Sequence, residues 1–189
     1  MAILKKIIPP VLFIFLISCS SMPISTMFKL YSINPLSIDA EQIAVAVVSP
    51  QYIGVKDGDV VLTIKFKSDN PNMNFNDRYY VKVSSNPIYS EELSHISKSD
   101  NHIVFLKLSP DDVKNLNSKL KKVREYRANS SEGAGSMNLE ILSACSIGQN
   151  NNYINESIDV YLKTSIKDDF FIFLDNIKTD NLRDANNCN

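Results

Sequence analysis

The chain has 189 residues, 44% of them hydrophobic and 22% charged, which suits one globular domain with its own core and excludes a disordered chain. Net charge is −1, and once Lys5 and Lys6 at the N-terminus are set aside the remainder carries 18 basic against 21 acidic groups. That balance leaves no electrostatic footprint for nucleic acid, and no nucleic-acid partner is expected.

The chain begins with Lys5 and Lys6, followed by an uncharged apolar run from Ile7 to Ile17 that Pro9 and Pro10 interrupt. A membrane-spanning helix needs about 20 apolar residues, so this run is too short to cross, and a proline pair opposes a regular helix. A positive start, a short apolar middle and small residues at the end are the anatomy of a secretory signal. Its last four residues, Leu16-Ile17-Ser18-Cys19, resemble the lipobox of bacterial lipoproteins: an aliphatic, a tolerated residue, a small residue, then Cys. The resemblance implies a signal peptide over 1–18, cleavage after Ser18, and a thioether from the Cys19 thiol to diacylglycerol. It also implies palmitate-type acyl chains as the membrane anchor, since two or more chains hold stably where one does not. Ser20 stands where an Asp would favour inner-membrane retention in enteric-type bacteria, so the resemblance points to the cell envelope and to the outer membrane in preference to the inner. The resemblance covers the signal alone and names no family for the mature domain.

Residues 19–36 read as a lipidated tether without a clean period, and 37–189 as a single β-rich domain. Ser37 or Asp39 offers a cap for a helical turn over "SIDAEQ", with Gln42 three residues beyond Asp39. Ile43 to Ser49 is uniformly apolar and reads as a central strand. Asp57-Gly58 is a turn signal before "DVVLTIKFK", where Val60, Leu62, Ile64 and Phe66 share one face, opposite Val61, Thr63, Lys65 and Lys67. "RYYVKVS" places Tyr79, Val81 and Val83 inward and Tyr80 and Lys82 outward. His102 to Leu108 is a second uniformly apolar strand.

Ser109-Pro110-Asp111-Asp112 supplies an N-cap, a first-turn proline and early acidic residues for a helix. Its apolar stripe is Val113, Leu116, Leu120, Val123 and Tyr126, and its far side carries Lys114, Lys119, Lys122 and Arg124. A basic face of this kind reads as a solvated one before it reads as a contact for anionic lipid. Asn129 to Ser136 ends the helix as a loop. "MNLEILSAC" aligns Met137, Leu139, Ile141, Ser143 and Cys145 on one side. "SIDVYLKT" sets Ile158, Val160 and Leu162 against Asp159, Tyr161 and Lys163. Phe170 to Ile177 is an apolar element of either type. The sum is a mainly β (α+β) fold: an antiparallel sheet or β-sandwich of about six strands with one amphipathic helix.

Chemistry is sparse. With Cys19 lipidated, Cys145 and Cys188 remain as an even pair in an oxidising compartment; either a disulfide joins them, or Cys145 is a buried thiol and Cys188 a dangling one. His95 and His102 have no second ligand at metal spacing and read as surface residues. The oxygen-rich "KSDNPNMNFNDR" lacks the Gly and Glu of an EF-hand loop and reads as a polar hairpin loop. Acidic doublets at Asp111-Asp112 and Asp168-Asp169 are capping residues, and "GAGS" precedes a strand where a phosphate loop would precede a helix. No catalytic set, metal or cofactor is expected. The chain therefore reads as a non-enzymatic, lipid-anchored envelope protein that binds a protein partner or supports an envelope assembly, with Tyr80 and Tyr161 as candidate interface aromatics. The alternative is a periplasm-facing carrier of a lipid or other apolar small molecule.

Overall fold

The structure, a computed structural model, describes residues 33–84, 92, 93, 96, 100–130, 132–148 and 155–188, together with Pro23 and Thr26. Cys19 and His95 lie outside the described residues. In chain order the strands are β1 (Ala44–Pro50), β2 (Ile53–Gly54), β3 (Val60–Lys67), β4 (Phe75–Tyr80), β5 (Lys82–Val83) and β6 (Asn101–Lys107). After the helix α1 (Pro110–Asn129) come β7 (Ala134–Ile141), β8 (Ser143–Ser146), β9 (Ser157–Lys163), β10 (Phe171–Lys178) and β11 (Arg183–Asn187). They form a five-stranded sheet in the order β10-β9-β1-β6-β5 and two three-stranded sheets, β4-β3-β7 and β11-β8-β2.

The fold is mainly β with one long helix, as the alternating runs require, but it is cut into more pieces than the runs themselves. Among the described residues eleven strands stand against the six or so that the alternating runs predict. "RYYVKVS" breaks at Val81, so that β4 belongs to one sheet and β5 to another. "MNLEILSAC" breaks at Leu142 and parts β7 from β8 in the same way. Ile141 and Cys145 therefore sit in different sheets, and Val83 is 46% exposed where alternation had turned it inward. The pairing is antiparallel except between β8 and β11, which run parallel. The apolar element at the C-terminal end is a strand, β10, with register shifts against β9.

β1 is central, paired on one side with β6 and on the other with β9. Its uniform apolarity follows from burial on both faces. Val45 and Val47 join the main core, while Ala46 and Val48 join a second cluster with Leu93 and Tyr161. That second cluster corrects the reading of β9: Tyr161 is buried and Lys163 more so, because Leu93 and Ile96 cover the face they share. The main core combines Leu106, Val160, Leu162 and Phe173 of the five-stranded sheet with Leu62, Ile64 and Phe66 of β3.

α1 adds Leu116, Leu120 and Val123 to this core, with Val113 and Tyr126 at its margin. Fully burying each of the first three stabilises the fold by roughly 1.5–3 kcal/mol. The Ser109 hydroxyl accepts the Asp112 N–H at 3.2 Å and caps the helix. Asp39 caps the 3-10 turn Ala40–Gln42 and accepts the Glu41 N–H at 3.1 Å.

The folded unit starts earlier than residue 37. Leu36 is buried in the core, Thr26 is buried as well, and its hydroxyl donates to the Ile172 carbonyl of β10. Segment 33–42 then passes between the 164–168 loop, where the Ile166 N–H donates to Gln42 Oε1 at 3.0 Å, and α1, where Asn117 Oδ1 accepts the Ala40 N–H at 2.9 Å.

Candidate functional site

Two strands change sheet at one place, and the turn Lys56-Asp57-Gly58-Asp59 holds both. The Asp59 N–H closes the turn on the Lys56 carbonyl at 3.1 Å, with Gly58 at φ +86° in the third position, as a type II turn requires. Asp57 Oδ1 accepts the Val83 N–H at 2.8 Å, and the Gly58 N–H donates to the Val81 carbonyl at 3.0 Å, which anchors the step from β4 to β5. Asp59 anchors the other step. Its carbonyl accepts the Leu142 N–H at 2.7 Å, and its carboxylate accepts the Ser143 hydroxyl at 2.5 Å and the Lys56 N–H at 2.9 Å. Asp57-Gly58 was legible as a turn; the second carboxylate, Asp59, was not, because its partners lie 84 positions away in Ser143 and next to it in Lys56.

Beyond this corner lies the outward face of the β4-β3-β7 sheet. Tyr80 and Glu140 flank Val61, and Arg78 and Asn138 flank Thr63. Arg78 reaches across the middle strand to Glu140 at 3.2 Å and lies 5.9 Å from the Tyr80 ring centroid. Asn138 Nδ2 donates to the same carboxylate at 3.2 Å. Val61 and Thr63 are buried beneath these side chains, which explains why the middle strand is half-polar in pattern yet buried on both faces over its first half. Tyr80 remains 51% exposed, and Val83 is exposed just past the corner. The result is an exposed sheet face with an aromatic ring and a guanidinium held in register by a cross-strand ion pair.

The other sequence-derived candidates lie elsewhere. Cys145 and Cys188 are bridged, with Cα atoms 5.0 Å apart, and the Cys188 N–H donates to the Ser146 carbonyl at 2.9 Å. The bond ties the segment after β11 to β8, away from the Tyr80 face. His102 is half-buried at the start of β6, its Nδ1 3.5 Å from Ser49 Oγ, and burial pushes its pKa down from 6.5 toward the neutral ring. That is a structural position for His102, unlike the surface one expected.

Two side-chain oxygens of the β3–β4 loop are spent on the loop itself: Asn70 accepts the Asn72 N–H at 3.1 Å and Asn74 accepts the Ser68 N–H at 2.7 Å. Asp77 accepts from Lys119 and, at 3.1 Å, from the Tyr79 hydroxyl, whose pKa burial drives far up. A cleft of about 410 Å³ beside segment 33–42 is lined by Asn34, Ser37, Asp39, Gln42, Ser165 and Asp168. Bonds from Asn117 and the Glu41 N–H hold the Asp39 carboxyl below its ordinary value of 3.8. Among the described residues no group of His, Cys, Asp and Glu is placed to hold a metal ion, and no helix is long and apolar enough to cross a membrane.

Compared with known proteins, the chain matches no family model, no curated protein and no solved structure.

Proposed function

We propose that this is a lipid-anchored cell-envelope protein, non-enzymatic, whose β domain presents the Tyr80–Arg78 face to a protein partner. The observation that carries the reading is the half-exposed Tyr80 ring with the Arg78 guanidinium over it, on the outward face of a sheet. Tyr and Arg are the side chains that dominate binding energy at interfaces, and rigid support lowers the entropy lost when they are covered. The Arg78–Glu140 pair, with Asn138 on the same carboxylate, orients the guanidinium there, although an exposed ion pair contributes little stability of its own. The anchor rests on the lipobox resemblance at Leu16 to Cys19, with the outer membrane as the favoured address. The carrier alternative asks for apolar walls, whereas the cleft beside segment 33–42 is lined mainly by polar side chains.

Two measurements test the two halves. Labelled palmitate enters the wild-type chain and not Cys19→Ala; labelling of both, or of neither, removes the anchor. Affinity capture from solubilised envelopes recovers a partner with the wild-type chain, and Tyr80→Ala and Arg78→Ala each reduce its yield by about tenfold or more. Equal recovery by wild type and both variants, or no recovery at all, sinks the interface.

A further inference from the structure

α1 concentrates positive charge on a domain that is otherwise acidic. The helix holds six basic and three acidic residues, and between Val113 and Arg124 there are five basic residues and no acidic one. The rest of residues 20–189 is left with 12 basic against 18 acidic groups. Lys119 and Arg124 are committed within the fold, the first to Asp77 and the second to the Leu36 carbonyl at 3.0 Å. Lys114, Lys121 and Lys122 are exposed. Of these three, among the described residues, only Lys121 has a carboxylate in reach, Glu125 at 3.9 Å.

Ser118 stands in the middle of this face. Lys114 precedes it by one turn and Lys121 and Lys122 follow it by one turn, so all three side chains neighbour it on the helix surface. The short Ser118 side chain lets two shallow grooves meet there. One, of about 420 Å³, is lined by Lys114, Lys119 and Lys122, with Asp111 at its N-terminal end; the other, of about 570 Å³, is lined by Lys121 and Arg124.

Position is the second observation. The groove with Lys121 is also lined by Ser37, Ile38 and Asp39, so the segment that leads from the N-terminal side into β1 runs beside the basic face. Thr26 is already held against β10, seven residues after Cys19. Seven extended residues span about 25 Å at most, so a lipid on Cys19 keeps the domain close to its bilayer.

We infer that the Lys114, Lys121 and Lys122 face of α1 rests on the anionic lipid surface of the membrane that carries the anchor, with headgroup phosphates seated over Ser118 between the lysine ammonium groups. Attraction of this kind falls off within a Debye length, about 8–10 Å at ordinary salt, so the short reach from Cys19 is what makes it effective. For its location the inference rests on the lipid-anchor reading; its test does not.

The full chain carrying Cys19→Ala is mixed with vesicles of phosphatidylcholine containing about one-third phosphatidylglycerol, and separately with pure phosphatidylcholine. The chain prefers the anionic vesicles, and high salt abolishes the preference. Each of Lys114→Gln, Lys121→Gln and Lys122→Gln lowers that preference about fivefold, and the three together about a hundredfold. The apolar N-terminus with Lys5 and Lys6 is common to all these chains and cancels. A triple control at the exposed Lys56, Lys65 and Lys67, each changed to Gln, keeps the preference. Equal partitioning of parent and helix variants overturns the inference, and so does an equal loss in the control. A wrong anchor reading shows instead as a wild-type chain without palmitate, whatever the vesicles report.

Discussion

Lys163 and Asp59 are the two buried charged side chains among the described residues, 2% and 6% exposed, and each is satisfied by a different device. Asp59 is satisfied by its own turn and by Ser143. Lys163 is paired with Glu92, whose two carboxylate oxygens both lie 2.7 Å from its ammonium, with the Phe170 ring 5.5 Å away. The pair is lopsided, because Glu92 is 39% exposed and returns to water if its partner is lost. Removing the exposed partner takes the bidentate carboxylate away from a buried charge, whereas replacing the buried one with an apolar chain removes the charge itself. Glu92→Ala is therefore expected to destabilise the fold by about 2–3 kcal/mol and Lys163→Met by less than about 1 kcal/mol, read from urea unfolding midpoints. Equal costs would contradict this account. The burial of Lys163 was not legible in "SIDVYLKT", since alternation gives only the face and Glu92 lies 71 positions away.

The elements show how far local pattern reaches. α1 follows its sequence closely, from the Ser109 cap to the stripe of Leu116, Leu120 and Val123, because a helix is made of contacts three and four residues apart. Strands depend on distant partners. The run through Tyr80 and Val81 alternates without a flaw, yet the chain changes sheets there because Asp57 claims the Val83 N–H. Turns at two glycines separate local strain from packing. A Cβ at Gly58, φ +86°, meets nothing nearer than 3.8 Å, so Gly58→Ala carries only the left-handed backbone cost of about 1 kcal/mol. At Gly133, φ +105°, between α1 and β7, a Cβ falls 2.4 Å from the Phe66 ring in the core. Gly133→Ala is expected to cost at least about 2 kcal/mol more than Gly58→Ala in thermal or urea unfolding, since the core ring must move. Equal shifts would show that Phe66 yields freely.

At the scale of the whole molecule, the five-stranded sheet and the β4-β3-β7 sheet share one core with α1, and the small β11-β8-β2 sheet carries the disulfide. The Cys145–Cys188 bridge closes a loop of 43 positions that includes β9 and β10. By loop-closure entropy a loop of that size is worth up to about 4 kcal/mol. Cys188→Ser, or reduction of the wild type, is expected to lower unfolding stability by about 2–4 kcal/mol; an unchanged urea midpoint would mean that the bridge adds nothing to the main core. The Tyr80 face and the basic face of α1 draw on different parts of this frame, the first on cross-strand register and the second on helical spacing.

Sequence alone determined what neighbours along the chain decide: the strand alternation, the capped helix and its stripe, the Asp57-Gly58 turn and a capped turn at Ser37 or Asp39, of which the structure uses Asp39. The lipobox-like motif is also a local signal, and the proposed address rests on it alone. Tertiary structure decided which sheet each strand joins, where continuous runs break, that Tyr161 and Lys163 are covered, and that Tyr80 is not. These outcomes turn on hydrogen-bond and packing partners tens of residues away, whose gain offsets the entropy of closing long loops only in the folded whole. A period of two names the faces of a strand; what lies against each face is settled by the rest of the chain.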